Sequence, residues 1–233
     1  MRVVGGEWSL YRHPGPPPDA RTLERLPGET RWIETSIHDL GRGLDAIRRA
    51  MDRKQRNALV HRRLHALVFA QEPHRLEEAY ALHVAQGRHW PRFRPLPLEL
   101  LRRLLASGGE TPVARLFTLS DDSGLVSAAF ALDSPRETFV WWTGTHASGR
   151  RVGAAALAFW RIAEWAAAAG RARVNLGAST GLDGVASFKH GLGAETLRYP
   201  VRWLDRRHAP WPGRVAGWLQ DRVRRGRPRG EAA

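Results

Sequence analysis

The amino-acid sequence predicts an α/β (α+β) fold: one mixed, twisted sheet flanked by helices. Three observations carry that expectation. Residues 113–147 hold three strand-like runs, VARLFTLS, GLVSAAFALD and ETFVWWTGTHA, separated by the hairpin turn signals DDSG and DSPR. An alanine-rich helical run, GAAALAFWRIAEWAAAAG, follows and stops at Gly170. Residues 173–203 then read as strand, short helix and strand. Val174 and Leu176 lead into a small-residue turn at Gly177-Ala178-Ser179. Phe188 and Lys189 sit on a helix that Asp183 caps and that Gly191 and Gly193 stop, and Leu197, Tyr199, Val201 and Trp203 alternate with arginines.

In chain order, residues 1–30 form an irregular segment whose HPGPPPDA stretch is a proline-rich linker or loop, with Trp8 docking on the body. Residues 31–110 come next. WIETSIHDL reads as a strand, and a helix starts at Asp39 or a nearby glycine and runs through Leu44, Ile47, Met51 and Leu59. That helix carries Arg48, Arg49, Arg53, Lys54, Arg56, Arg62 and Arg63; such a run is either a solvated face or a binding face. HALVFAQEP is a strand, and HRLEEAYALHVAQGRHW a helix with Leu76, Tyr80 and Val84 on its apolar side. PRFRPLPLELLRRLLASGG is a loop and a short helix closed by Gly108 and Gly109. Residues 111–204 form the main lobe. In its long helix, Leu157, Trp160 and Ala163 supply the buried stripe. Residues 205–233 form a basic C-terminal helix and tail; Val215, Trp218, Leu219 and Val223 face either the body or an anionic membrane.

Composition narrows the functional classes. The chain has 233 residues, 42% of them hydrophobic and ten of them tryptophan, enough for a packed core. It has no cysteine, which excludes disulfides, thiolate nucleophiles and cysteine-ligated zinc. No apolar run approaches the ~20 residues of a membrane span, and no signal peptide opens the chain, so a cytoplasmic protein is expected. The net charge of +14 points to polyanions: nucleic acid, an anionic membrane face or phosphate-rich small molecules. His65, His74, His83 and His89 read as surface histidines. Their spacing builds no metal site, and none is expected.

Lys189 stands out by composition. Of 37 Lys plus Arg, only Lys54 and Lys189 are lysine. A lysine kept in so arginine-rich a chain marks a site where a compact ammonium is needed, or else it is drift. Arg150, Arg151, Val152, Gly153, Ala154 and Ala155 open the long helix directly after the third strand of the lobe. Free amides at a helix N-terminus bind phosphate, small residues allow close approach, and arginines add charge-assisted contacts. The alternative there is a plain helix start with solvated arginines.

The stretch NLGAST…GLDGVASFKHGLGAE resembles the C-terminal signature of the FemAB-like transferases and related GNAT-fold acetyltransferases: a strand ending in (D/N)-L-G-x-S, then F-K-x-x-(F/L)-G-A. Asn175 stands where Asp is commoner and Leu192 where Phe is commoner. The segment TSIHDL…RKQRNAL resembles a FemAB-like segment that lines the substrate cleft, and Arg150–Ala155 fits R-x-x-G-x-(G/A), the GNAT pyrophosphate loop. FemAB-like relatives that use aminoacyl-tRNA usually lack that loop. The resemblance covers roughly residues 32–204. It implies a GNAT-like (acyl-CoA N-acyltransferase) fold with a truncated N-terminal lobe, residues 31–110 being a partial first lobe and basic helical linker.

The resemblance further implies transfer of an acetyl or other acyl group from acyl-CoA to an amine. An alternative is FemAB-type aminoacyl transfer from tRNA to a cell-wall precursor, at the inner membrane face. A third is a non-catalytic GNAT-like module that binds RNA or an anionic membrane. Lys189 is the candidate for charge stabilisation, and His146 and Glu137, at the two ends of the third strand of the lobe, are candidate bases. Residues 150–155 would hold the donor phosphates. Lys54, Arg56, Trp142, Asn175, Ser179 and Phe188 are the candidate substrate contacts. The strand setting of Tyr199 counts against its serving as the acid. An enzyme needs an open groove between the third and fourth strands of the lobe; a binding module would have it filled by Trp141, Trp142 or Trp160.

Overall fold

Local sequence signals set most element boundaries in the computed structural model, which describes residues 6–9, 29–61, 64–88, 90, 93–107, 109, 112–179 and 182–204. Strands β1 (Gly6–Ser9) and β2 (Glu29–Asp39) come first, and Asp39 then accepts from the Gly41 amide to start a 3-10 turn over Leu40–Arg42. The single helix expected through Leu59 is two: α1 (Leu44–Ala50) and α2 (Arg53–Leu59). Met51 is extended, and the Asp52 carboxylate accepts from the Gln55 amide at 2.7 Å, so a second N-cap interrupts a continuous apolar spacing.

Strand β3 (Val68–Gln71) leads through a 3-10 turn to α3 (Leu76–Gly87), followed by α4 (Leu98–Ala106). The buried stripe of α3 is Leu76, Ala79, His83 and Gly87, so His83 faces inward and Val84 lies one position round from it. This corrects the surface placement of His83. The three hairpin strands are β4 (Ala114–Asp121), β5 (Gly124–Asp133) and β6 (Glu137–Thr145). A short helix, α5 (Ala147–Val152), precedes the long one, α6 (Ala154–Ala168). Then come β7 (Arg173–Asn175), α7 (Asp183–Gly191) and β8 (Glu195–Leu204). Leu182, not Asp183, occupies the N-cap of α7, and its side chain makes no capping hydrogen bond.

The described chain divides into two compact units. One combines the N-terminal residues up to Ile33 with those from Arg198 onward; there β1 pairs antiparallel with β8, Gly6 opposite Leu204. The other is Glu34–Leu197, so residues 34–110 share one unit with the lobe that follows. Within it the strand order is β2-β7-β6-β5-β4-β3, antiparallel except for the parallel β7/β6 pair. Alternation along the strands divides the core in two. Phe117, Ala129, Ala131 and Val140 pack with Phe159, Ile162 and Ala163 of α6, while Leu116, Ala128 and Phe130 pack with Leu76 and Ala79 of α3 and Leu101 of α4. The central strand β5 is buried on both faces, which is why its sequence is nearly all apolar.

This is the mixed sheet with flanking helices that the sequence predicts. Expectations for residues 13–20, Arg62, Arg63, His89, Gly108 and 205–233 lie outside the described residues. Among the described residues no helix is long and apolar enough to cross a membrane.

Candidate active site

Strands β6 and β7 pair over only three positions, Glu137 with Arg173 to Phe139 with Asn175, and then part. Just past that point the β5/β6 register jumps from Ala131 opposite Val140 to Phe130 opposite Trp142, leaving Trp141 as an extra residue in β6. A bulge there bends β6 and re-aims its side chains. A cavity of about 780 Å³ opens where the strands separate, lined by Phe139–Thr143 and Thr145 on one side and Leu176–Ser179 on the other. Its remaining walls come from α2, from His83 and Gln86 of α3, from Trp90, from the α5/α6 junction and from α7.

The turn after β7 is built by Asn175. Its Oδ1 accepts from Thr35 Oγ1 at 2.6 Å and from the Gly177 amide at 2.9 Å, while its Nδ2 donates to Glu137 Oε1 at 3.1 Å. Gly177 has φ +81°, a left-handed conformation that favours glycine. The carbonyls this turn presents are then taken up by Lys189: Nζ donates to Gly177 O at 2.8 Å and to Ala178 O at 2.9 Å. Lys189 is only 6% exposed, and burial pulls its pKa down from 10.5 to about 8. Phe188 stands against Phe159 at a ring separation of 6.0 Å.

At the opposite end of β6, residues 150–155 are helix, break and helix rather than an open loop. The amides of Arg150 and Gly153 bond to His146 O and Arg150 O. Gly153, at φ +84°, joins α5 to α6, and a Cβ built on it would stand 2.8 Å from that of Ala58. The amides of Ala156 and Leu157 reach Gly153 O, which leaves Ala154 and Ala155 as the first-turn amides of α6 with no partner inside the helix. The Arg150 guanidinium donates to Thr145 O at 2.7 Å.

The cavity brings together Lys189, Phe188, Ser179, Trp142, Lys54, Arg150, Arg151, Val152, Gly153 and Ala155. It does not include Ala154, Arg56, Asn175, His146 or Glu137. Arg56 instead donates to the carbonyls of Arg49 and Met51 at the end of α1. His146 is exposed and caps α5 through Ser148. Glu137 lies where β6 and β7 are still paired and forms an ion pair with the nearly buried Arg173. Glu137→Gln is therefore expected to cost about 1–3 kcal/mol in a denaturant melt, because a buried charged partner is left short. The pH profile of turnover should not move. A large rate loss at unchanged stability would return Glu137 to the chemistry.

His83 and Gln86 are on the cavity wall without having been singled out in the sequence. The 76/79/83/87 stripe turns His83 inward, but nothing local says that a cavity lies there. Among the described residues no carboxylate lines the cavity, and the charged groups that do are Lys54, Arg150, Arg151 and Lys189, joined by His61 and His83. Among the described residues no cluster of three His, Asp or Glu could hold a metal ion.

A family model described as an acetyltransferase (GNAT) domain matches residues 46–190, more than half of the chain. No curated protein matches the chain by sequence. Among solved structures, FemX superposes with a TM-score of 0.62 at 9% identity, over 72% of this chain and 61% of FemX, so the chain spans less than two thirds of that protein. The C-terminal domain of a candidate lysylphosphatidylglycerol synthetase from Agrobacterium fabrum gives 0.55 at 14% identity, over 88% of this chain and 68% of that one. A conserved protein of unknown function from Bacteroides thetaiotaomicron gives 0.53 at 14% identity, over 80% and 66%. At such identities the likeness is one of fold.

Proposed function

The chain belongs to the acetyltransferase (GNAT) domain family, and from that premise we propose that it moves an acetyl or other acyl group from acyl-CoA to an amine acceptor. The observation that carries this reading is the cavity between the parted ends of β6 and β7, with Lys189 on one wall and the start of α6 on another. It stays open: Trp141 and Trp142 line it, and Trp160 packs elsewhere with Ile47 and Met51. That favours an enzyme over a module that only binds RNA or a membrane.

The residues fit a phosphate-bearing donor. The Ala154 and Ala155 amides lie at the positive end of a 15-residue helix, with Arg150 and Arg151 beside them. Bound there, acyl-CoA would supply an activated thioester. The chain would hold its phosphates at that helix end and orient its carbonyl toward Lys189. The ammonium spends two of its three N–H groups on Gly177 and Ala178, leaving one for the carbonyl oxygen as negative charge develops on it. Holding the amine against the carbonyl supplies the rest of the acceleration.

A second donor has one observation in its favour. Helix α5 engages the amides of Arg150 and Gly153, so the pyrophosphate-loop sequence offers fewer free donors than an open loop would. This suits aminoacyl-tRNA, whose ester could reach the same cavity while the +14 chain holds the nucleic acid. The acceptor would then be an amine of a cell-wall precursor. Titration calorimetry with acetyl-CoA and with aminoacyl-tRNA separates the two readings. Ala155→Glu keeps a residue type welcome in a first helical turn but sets an anion against the donor phosphates. Acetyl-CoA binding is expected to weaken by tenfold or more in that variant. Undiminished binding would remove the phosphates from the start of α6, and absence of binding by the unmodified chain would leave the tRNA reading.

A further inference from the structure

We propose that His83 is the base that takes the proton from the acceptor amine, a role that rests on the acyl-transfer reading above. The ring is locked in place. It stacks on Trp142 at 4.6 Å with planes 25° apart, and Phe93 and Trp90 meet it edge-on at 5.2 and 6.5 Å. Nδ1 lies 3.0 Å from Thr143 O. A backbone carbonyl only accepts, so in the neutral ring the hydrogen sits on Nδ1 and Nε2 carries the lone pair.

The backbone beneath it is equally constrained. A Cβ on Gly144 would stand 2.5 Å from His83 N, so α3 lies directly on β6 only because that residue is glycine. One turn on, Gln86 Oε1 accepts from the Thr145 amide at 2.9 Å. Burial lowers the His83 pKa, which keeps Nε2 free near neutral pH.

Other bases are poorly placed. Among the described residues no carboxylate lines the cavity, His61 is exposed, and Lys189 is occupied with two carbonyls. The charged groups that share the cavity with His83 are Lys54, Arg150, Arg151 and Lys189, all cations, which also favour loss of a proton from an acceptor ammonium. Ionisable groups on the elements around α3 are engaged elsewhere. Glu77 and Glu99 hold Arg102, Arg75 holds Glu72 and Glu78, Asp133 holds Arg115 and Arg171, and Glu137 holds Arg173; His74 stands beside Glu72, and Arg103 pairs with Glu99.

The acceptor R–NH3+ gives one proton to Nε2. The neutral amine adds to the thioester carbon, forming C–N as the carbonyl pair moves onto oxygen. The pair returns, C–S breaks, and the thiolate leaves with the bonding electrons and takes the second nitrogen proton. His83 then releases its proton to water, so the products are the amide, the free thiol and one proton.

The test is His83→Asn, whose side-chain amide can still donate to Thr143 O. With acetyl-CoA and an accepting amine, kcat is expected to fall by about 10²–10⁴, the usual range for a lost general base. Acetyl-CoA binding by calorimetry should stay within threefold. The acidic limb of the pH–rate profile should vanish, and added imidazole should restore part of the rate. A retained rate, or a loss with the acidic limb intact and no imidazole rescue, overturns the proposal while leaving acyl transfer standing. If the unmodified chain binds no acyl-CoA, the acyl-CoA reading fails and this role, which rests on it, falls with it. Nitrogen NMR of the unmodified protein needs no variant: Nδ1–H with bare Nε2 at neutral pH is expected, and an Nε2–H tautomer or an imidazolium would overturn the assignment.

Discussion

Lys189→Ala is expected to lower turnover by about 10²–10³, or ~2.7–4 kcal/mol of transition-state stabilisation, the loss seen when one preorganised donor is removed from an oxyanion site. Two of its N–H groups already hold the turn after β7, and the third is available to the cavity. Truncation therefore acts twice. It removes a positive charge from a buried wall, and it takes that partner from Ala178 O and from Gly177 O, which keeps the Ser36 amide at 3.2 Å. A stability loss of about 1–3 kcal/mol should accompany the rate loss. Lys189→Arg should rescue poorly: the planar fork needs more room than a site where Gly177 stands close to Nζ, and its charge is more diffuse. Steady-state kinetics on both variants decide the matter. If alanine only raises KM and arginine restores activity, the lysine binds donor phosphate instead.

The same residue gives a pH signature with a definite sign. Burial brings its pKa from 10.5 to about 8. Turnover should fall as pH rises through about 8, because the ammonium becomes a neutral amine that still holds the two carbonyls but no longer carries charge. Stability moves the other way. Between pH 8 and 10.5 the unfolded chain keeps this proton and the native state has lost it, so unfolding free energy rises with pH across that window. Lys189→Met should lack the rise. Matching slopes for the two proteins in chemical melts at pH 8 and 10 would show that the lysine is not desolvated.

Much of the sheet was legible because its signals are local. Alternation gave β4 to β6, turn residues separated them, and Gly170, at φ +71°, stopped α6. Lys189 was legible by a different route, as one of two lysines in an arginine-rich chain. The missed features depend on contacts made across the sheet. Both ends of β6 carry an ionisable residue, Glu137 and His146, and nothing in the strand says which end β7 closes. The parallel pairing with Arg173–Asn175 buries the Glu137 end in an ion pair, while His146 is spent on capping a helix. His83 was hidden for the same reason. Its helix reads as amphipathic around Tyr80 and Val84, and only the close approach of α3 to Gly144 shows that the buried stripe runs through the histidine. The bulge at Trp141 has no local signature.

Gly193→Ala is expected to be strongly destabilising for a single added methyl, and its cause explains the glycine in the F-K-x-x-L-G-A stretch. Gly193 follows the end of α7 at φ +76°, where an L side chain costs roughly 1–2 kcal/mol. A Cβ there would also stand 2.6 Å from Ile47 O, 3.1 Å from Met51 N and 3.3 Å from Ala50 C. All three are backbone atoms at the end of α1, so no rotamer change relieves the contact, and overpacking of this kind adds about 1–3 kcal/mol. The sum, about 2–5 kcal/mol, corresponds to a melting temperature lower by about 4–20 °C for a chain of this size. Activity should fall with it, because the Leu192 and Ala194 amides both bond to Lys189 O and a displaced turn carries that lysine with it. Gly184→Ala is the control: it lies in the same helix, and a Cβ there would meet nothing within 4 Å. It should leave stability unchanged or raise it by about 0.5–1 kcal/mol. Thermal melts of the two variants decide the argument, and a Gly193→Ala protein melting with the parent would show that α1 does not clamp this turn.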